Sequence, residues 1–388
     1  MKIKIIKEFF TKENIIIFGI IIFIMLGIHI LNFAFPNEYY TYSSEGITYD
    51  KATVVEIVSQ SVTPSDDYDG YYTGLQTIIV EFTSGSQKGE QIEVSNSLSL
   101  THNIFVKVGS KIIIKSDMPQ GVTPYYSVYN YDRITGLIVI AILFAVVMVI
   151  VAKAKGIKSV IGLIFSLYVI GYFLLLSIYR GWSPILMTVI AVLLISSVSM
   201  LLLNGFCEKT YTAICSTMLG VSLSAIFFLV LQQMLNLTGY NLSEADQLIV
   251  ISRSTNLVIS EVFFSAVLIS SLGAIIDTTM SIASALYEIR DITPNITKSE
   301  LAKSGITIGQ DMIGTMCQTL ILAFVGSAVA TLLVLISYGT QINQFLSSDY
   351  IALEIVQAIS GSMAIIFAVP ITAYLSTVTH KPQKRKIK

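Results

Sequence analysis

GAIIDTTMSIASALYEIRDITPNITKSELAKSGITIGQDMIGTMCQTLILAFVG (residues 273–326) is the stretch on which the reading of the whole chain turns. Two apolar stretches flank a polar connector, and each carries an aspartate beside it. Asp277, Ser281, Ser284 and Glu288 are spaced i, i+4, i+7 and i+11, which predicts one face of a helix. Asp311, Thr315 and Gln318 repeat the i, i+4, i+7 spacing on the next helix. Polar stripes on otherwise apolar helices are costly inside a bilayer, so they mark a candidate site rather than a surface.

The surrounding chain fits a membrane. Its 388 residues are 54% hydrophobic and 13% charged, against roughly 25% charged in ordinary soluble domains. Several apolar runs exceed about 18 residues, enough to span a bilayer. The fold class expected is an α-helical polytopic membrane protein with about eight transmembrane helices. A net charge of −1 leaves no global field for nucleic acid. The three cysteines, Cys207, Cys215 and Cys317, sit in or beside apolar segments and imply no disulfide framework.

Residues 1–35 combine a lysine-bearing start (Lys2, Lys4, Lys7, Lys12) with an apolar run from Ile15 to Phe35. The charge order is that of a signal peptide, but the run is long and has no clear small-x-small cleavage site, so a retained first helix is expected. Residues 36–132 alternate apolar and polar residues at 51–58, 75–82, 90–97 and 108–115, with turn residues between. That pattern predicts an extracytoplasmic all-β domain of about five strands, OB-like or a similar small barrel, inserted between helices 1 and 2. Its edges are crowded with tyrosines, among them Tyr125, Tyr126, Tyr129 and Tyr131, which read as an interfacial belt or a ligand surface. Residues 133–378 hold seven further apolar segments, near 134–152, 159–179, 183–203, 212–235, 257–277, 312–336 and 352–378. Residues 379–388 form a basic tail.

Lysine and arginine concentrate in alternate connectors: 1–14, 153–158, 204–211, 278–310 and 379–388 hold four, three, one, three and five. The intervening short loops hold Arg180 and Arg253. The positive-inside rule then places both termini in the cytoplasm and residues 36–132 outside. The connector 236–256 is expected to be an outside linker whose Leu-Ile-Val-Ile run dips into the interface.

Few ionisable groups fall within the apolar segments. Asp277 and Asp311 are the leading candidates, because helices joined by a short inside connector run antiparallel and bring both to a similar depth. If the two face each other, repulsion and desolvation would raise one pKa towards neutrality, and such a carboxylate could carry a proton or hold a cation. Ser281, Ser284, Glu288, Thr315 and Gln318 would add oxygen ligands or proton partners. Gly273, Ala274, Gly305, Gly309 and Gly314 would allow close helix approach. Asp311 could equally serve the first turn of a helix, where negative charge suits the dipole. Glu261 and Glu354 read as secondary candidates, at the interface or paired with Arg253. No nucleophile–base pair, HExxH, GxSxG or phosphate loop occurs, and His29, His102 and His380 are scattered. No enzyme activity, cofactor or metal is therefore expected. The expected partners are the lipid bilayer, an unidentified small solute or ion, and a second copy in a homo-oligomer.

GAIIDTTMSIASALYEI (273–289) followed by KSGITIGQDMIGTMCQTLILAFVGS (303–327) resembles the signature of the YibE/F family of bacterial membrane proteins. The layout of one helix, a small β-domain and a multi-helix remainder is also similar, over roughly residues 40–378. The resemblance implies a bacterial cytoplasmic-membrane location and brings no substrate or mechanism with it. Gln318 departs from the pattern, where an asparagine is expected, and keeps an amide. A shorter likeness, over about 60 residues around Asp277, is to the central helix pair of RND-type transporters and SecD/SecF. There an intramembrane acid couples proton flow to work. The acid-bearing stripes lead to the expectation of a secondary transporter or export factor, proton or cation coupled. The other reading is a non-transporting sensor, scaffold or assembly partner acting through the β-domain.

Overall fold

A computed structural model describes residues 11–36, 46–65, 68–119, 121–238, 245–255 and 257–379. The chain forms two compact units, Tyr42–Val146 on one hand and Met1–Thr41 with Val147–Lys388 on the other.

The first unit is a five-stranded antiparallel sheet: β1 (Ile47–Pro64), β2 (Tyr72–Phe82), β3 (Gln91–Leu98), β4 (Lys111–Asp117) and β5 (Tyr125–Tyr131), in the order β3-β2-β1-β4-β5. The alternating residues Val54, Ile78, Val80, Val94, Ile112 and Ile114 form its buried face. Two register breaks in β1, at Val54/Glu56 and Ile57/Ser59, bend this long central strand. The bend curls the sheet until its outer strands, β3 and β5, approach each other. A buried amide network then pins the segment after β3. Gln76 Nε2 donates to the Val106 carbonyl (3.0 Å), and Asn96 Nδ2 donates to Gln76 Oε1 (3.1 Å) and to the Ile104 carbonyl (2.8 Å). The period-two pattern at 51–58, 75–82, 90–97 and 108–115 thus falls on four of the strands. The fifth, β5, is the tyrosine run that the sequence suggested was an edge or belt. Tyr131 donates to the Phe105 carbonyl at 2.6 Å, and Tyr126 accepts from Gln87 at 2.6 Å.

The second unit is helical, although the first of its long helices after the sheet begins within the range of the first unit. Its helices are α1 (Lys12–Ala34), α2 (Ile134–Tyr168), α3 (Leu176–Tyr179), α4 (Pro184–Asn204), α5 (Glu208–Met234), α6 (Ala245–Thr255), α7 (Ile259–Ile292), α8 (Lys298–Ser337), α9 (Ile342–Leu346) and α10 (Asp349–Thr379). A π-helical turn, Val169–Leu175, joins α2 to α3. Among the described residues, seven helices are long and apolar enough to cross a membrane, counting Ile134–Tyr179 as one of 46 residues. The connector read as a linker at 236–256 contains a short helix, α6.

That 46-residue helix would run about 69 Å at 1.5 Å per residue, twice the ~30 Å hydrocarbon core. It does not run straight. Lys153 takes φ 53° and ψ −126°, outside the helical region. A Cβ added to Gly156 would collide with the carbonyl of Met148, eight residues earlier. Residues eight apart on a continuous helix are separated by about 12 Å. The backbone therefore doubles back at Lys153, in the lysine-bearing segment expected to be a loop.

Side-chain contacts define the two ends of the bundle. At one end, Asn32 donates to the Tyr172 carbonyl (2.8 Å) and accepts from Arg180 (2.7 Å). Ser183 donates to Glu261 there (3.1 Å). At the other, Thr212 and Thr379 hydroxyls meet at 2.7 Å, and Arg290 donates to the Thr377 carbonyl (3.1 Å). Helix α10 is the hub and packs along α5, α7 and α8. Glycines bring these helices close: Gly220 lies against Ala364 and Ala368, Gly305 and Gly309 against Ala373 and Val369, and Gly361 against Leu320 and Ser271. Helix α1 buries Ile17, Ile21 and Ile28 in the same core as Phe165 and Val169.

Candidate functional site

Helix α7 shows why its polar residues stand apart. Ile275, Thr278, Thr279, Ile282, Ala283 and Leu286 are buried and cluster on one side. At 100° per residue, Asp277, Ser281, Ser284 and Glu288 fall roughly opposite them. Asp277, Ser281 and Glu288 are exposed and Ser284 is half-buried. The same division holds on α8. Leu301, Gly305, Gly309 and Leu320 are buried against α10, whereas Asp311, Thr315 and Gln318 are exposed on another face.

Asp277 lies about 22 Å along its helix from Ile292, and Asp311 about 20 Å from Lys298. The two acids thus stand at similar distances from the 293–297 connector. The seam where α7 meets α8 is nevertheless apolar, formed by Leu286, Ile289, Leu301 and Ile308. No hydrogen bond or ion pair joins the two stripes among the described residues. Thr315 is bonded within its own helix, to the Met312 carbonyl at 3.1 Å. Of the small residues expected to bring helices close, Gly305 and Gly309 do so. Gly273 and Gly314 do not: a Cβ on either would meet nothing within 4 Å.

What Gly273 borders instead is a cavity of about 310 Å³ between α2, α4 and α7. Ser159, Gly162, Ser166, Ser199, Gly273 and Ile276 line it, with Lys158. Asp277 follows Ile276 directly and stands one turn beyond Gly273 on the same helical face. The α7 stripe therefore begins at the cavity and runs on through Ser281, Ser284 and Glu288 towards the 293–297 connector. Lys158 lies within electrostatic reach of Glu13, at the start of α1. The cavity was not foreseen, since it takes residues from three helices distant in the chain. Its one sequence signal is Gly273, spaced i−4 from Asp277.

The secondary candidates separate. Glu261 accepts from Ser183, whereas Oε2 of Glu354 is buried without a partner. Neither pairs with Arg253, which is exposed near the end of α6. Among the described residues no cluster of three His, Cys, Asp or Glu side chains could hold a metal. The cysteines are free.

Interhelical hydroxyl pairs are a second feature that spacing did not reveal. Thr188 donates to Ser265 at 2.7 Å, Thr217 and Thr279 share a bond of 2.9 Å, and Ser224 donates to the Ser360 carbonyl at 2.6 Å. Many other serines and threonines bond carbonyls of their own helix, for example Thr278 to Ala274 at 2.8 Å. The first two of these cross-helix bonds hold the face of α7 opposite Asp277 in place, and the third ties α5 to α10.

No curated protein and no solved structure matches the chain. A family model does: that of the YibE/F-like proteins matches residues 140–382, which include the acidic face of α7, the cavity beside it and the α8 stripe. This match extends over well more than half of the sequence, and the chain, a membrane protein, belongs to the YibE/F-like family.

Proposed function

We propose that this protein is a secondary transporter or export factor that couples its work to a proton or cation gradient through Asp277. The observation that carries this reading is an unpaired carboxylate partway along an apolar helix, beside a largely apolar cavity whose wall carries three serines. An intramembrane acid is expensive to keep and is retained at ion and proton pathways. Ser159, Ser166 and Ser199 supply oxygens on one side, and Ser281, Ser284 and Glu288 continue the polar track towards the connector. The lysines of 1–14, 153–158, 278–310 and 379–388 support a cytoplasmic position for that end of the bundle. The proton or cation would leave there. With the reversal at Lys153 counted as a turn, the chain crosses the cell membrane eight times, and residues 36–132 lie outside in an OB-like barrel. Asp311, Thr315 and Gln318, exposed on α8, form the surface on which a second copy would complete the assembly.

The alternative is a non-transporting sensor or scaffold acting through the β-domain. It is favoured by one observation: the sheet carries its own polar cleft of about 310 Å³ between β3 and β5, lined by Ser95, Asn96, Ser97, His102 and Ser127. Two variants separate the readings. D277N removes gradient-driven flux under the transport reading and leaves a β-domain function intact. Deletion of residues 40–130 does the reverse. Unchanged flux in D277N rejects the transport reading.

A further inference from the structure

A second cavity lies in the helical unit, among α8, α9 and α10. It holds about 290 Å³, and its walls include Phe324, Ala328, Leu332, Phe345, Ile351 and Ala358. One carboxyl enters this apolar lining, that of Glu354. Its Oε2 is buried without a hydrogen-bond partner. No cationic side chain lines the cavity among the described residues. A carboxylate oxygen taken out of water and left unpaired is costly. A cationic ligand would remove that cost, and the apolar walls would hold its hydrocarbon part. The size is at the small end of ligand cavities, which start near about 300 Å³.

We propose that this cavity binds an amphiphilic organic monocation, with Glu354 as its counter-charge. The chemistry selects a single cationic head on an alkyl or aryl body. A zwitterionic phospholipid fits less well, because its phosphate would find no cationic side chain there. A neutral apolar molecule would leave Glu354 Oε2 as it is. This site shares no residue with Asp277 or its cavity, and the inference stands without the transport reading.

Equilibrium binding of radiolabelled dodecyltrimethylammonium to the full chain, in nanodiscs of phosphatidylcholine, tests it. Saturable binding is expected, weakened at least about tenfold in E354Q, where the counter-charge is lost. A358L keeps the carboxylate and fills the cavity, and a comparable loss is expected. Because A358L could disturb packing, its melting temperature is measured alongside, and A328V serves as a second, milder filling variant. Wild-type affinity in E354Q overturns the assignment of Glu354. Undiminished binding in both folded filling variants overturns the cavity. Displacement of the probe by phosphatidylethanolamine added to the disc overturns the choice of a free cation over a lipid headgroup.

Discussion

At the scale of single residues, Asp277 and Gly273 divide the labour at the candidate site. The first supplies charge and the second supplies space. Gly273→Leu places a side chain where a Cβ meets nothing within 4 Å, at the cavity wall. Its expected effect is loss of flux with thermal stability retained, read by comparing transport and melting of the purified protein. Asp132, in the β-domain unit, makes a different kind of prediction. Partial burial would raise its carboxyl pKa. The Ile134 N–H, the Lys51 ammonium at 3.2 Å and the charge of Lys111 outweigh that, and hold it below the ordinary carboxylate range. A depressed folded-state pKa stabilises the fold at pH values above the unfolded value, about 3.9, and the benefit fades as pH falls through the folded value. D132N should therefore speed hydrogen exchange across β4 and β5 at pH 7. At pH 2 it should differ little from wild type. Equal exchange at pH 7 would show that the pair contributes nothing. Sequence alone singled out Asp277 by its spacing. It could not single out Asp132, whose partner lies 81 positions away on another strand.

At the scale of elements, the same glycines that looked alike in sequence behave differently. Gly309 lies against Val369 with no room for a side chain, whereas Gly314 opens on free space. Gly309→Leu should destabilise by about 1–3 kcal/mol or more, as overpacking does. Gly314→Leu should be nearly neutral in the same melting experiment. Similar losses in both would contradict the α8–α10 seam. Thr217 and Thr279 offer a test of α5 against α7. A double-mutant cycle to valine should return a coupling near about 0.6 kcal/mol, the mean for such bonds between membrane helices. Element types were readable because hydrophobic periodicity differs between strands and helices. Contacts between helices were not, because an apolar run carries no record of its neighbour. That is why the stripes of α7 and α8 could be found, while the apolar seam between the helices and the cavity beside Gly273 could not. The reversal at Lys153 lies between, since lysines there signalled a loop but the strained backbone and the Gly156–Met148 approach appear only in three dimensions.

At the scale of the whole molecule, the helical bundle joins contacts of consistent sidedness. Asn32, Arg180, Ser183 and Glu261 gather at one end, and Thr212, Arg290 and Thr379 at the other. Cysteines placed at Ser183 and at Asp291 should react with membrane-impermeant maleimide from opposite faces of the membrane. Labelling from the same face would contradict the topology. If a second copy covers the outer face of α8, Thr315→Cys should cross-link between copies under mild oxidation, and Gly305→Cys, buried against α10, should not. The central claim is that a proton or cation driven across the membrane passes by Asp277. Its most direct measurement is ion movement into proteoliposomes under an imposed potassium diffusion potential, followed with pH- and sodium-sensitive dyes. Wild-type protein should move protons or sodium above the level of empty liposomes, and D277N should fall to that level. D277N flux equal to wild type, or wild-type flux no greater than that of empty liposomes, would contradict the account.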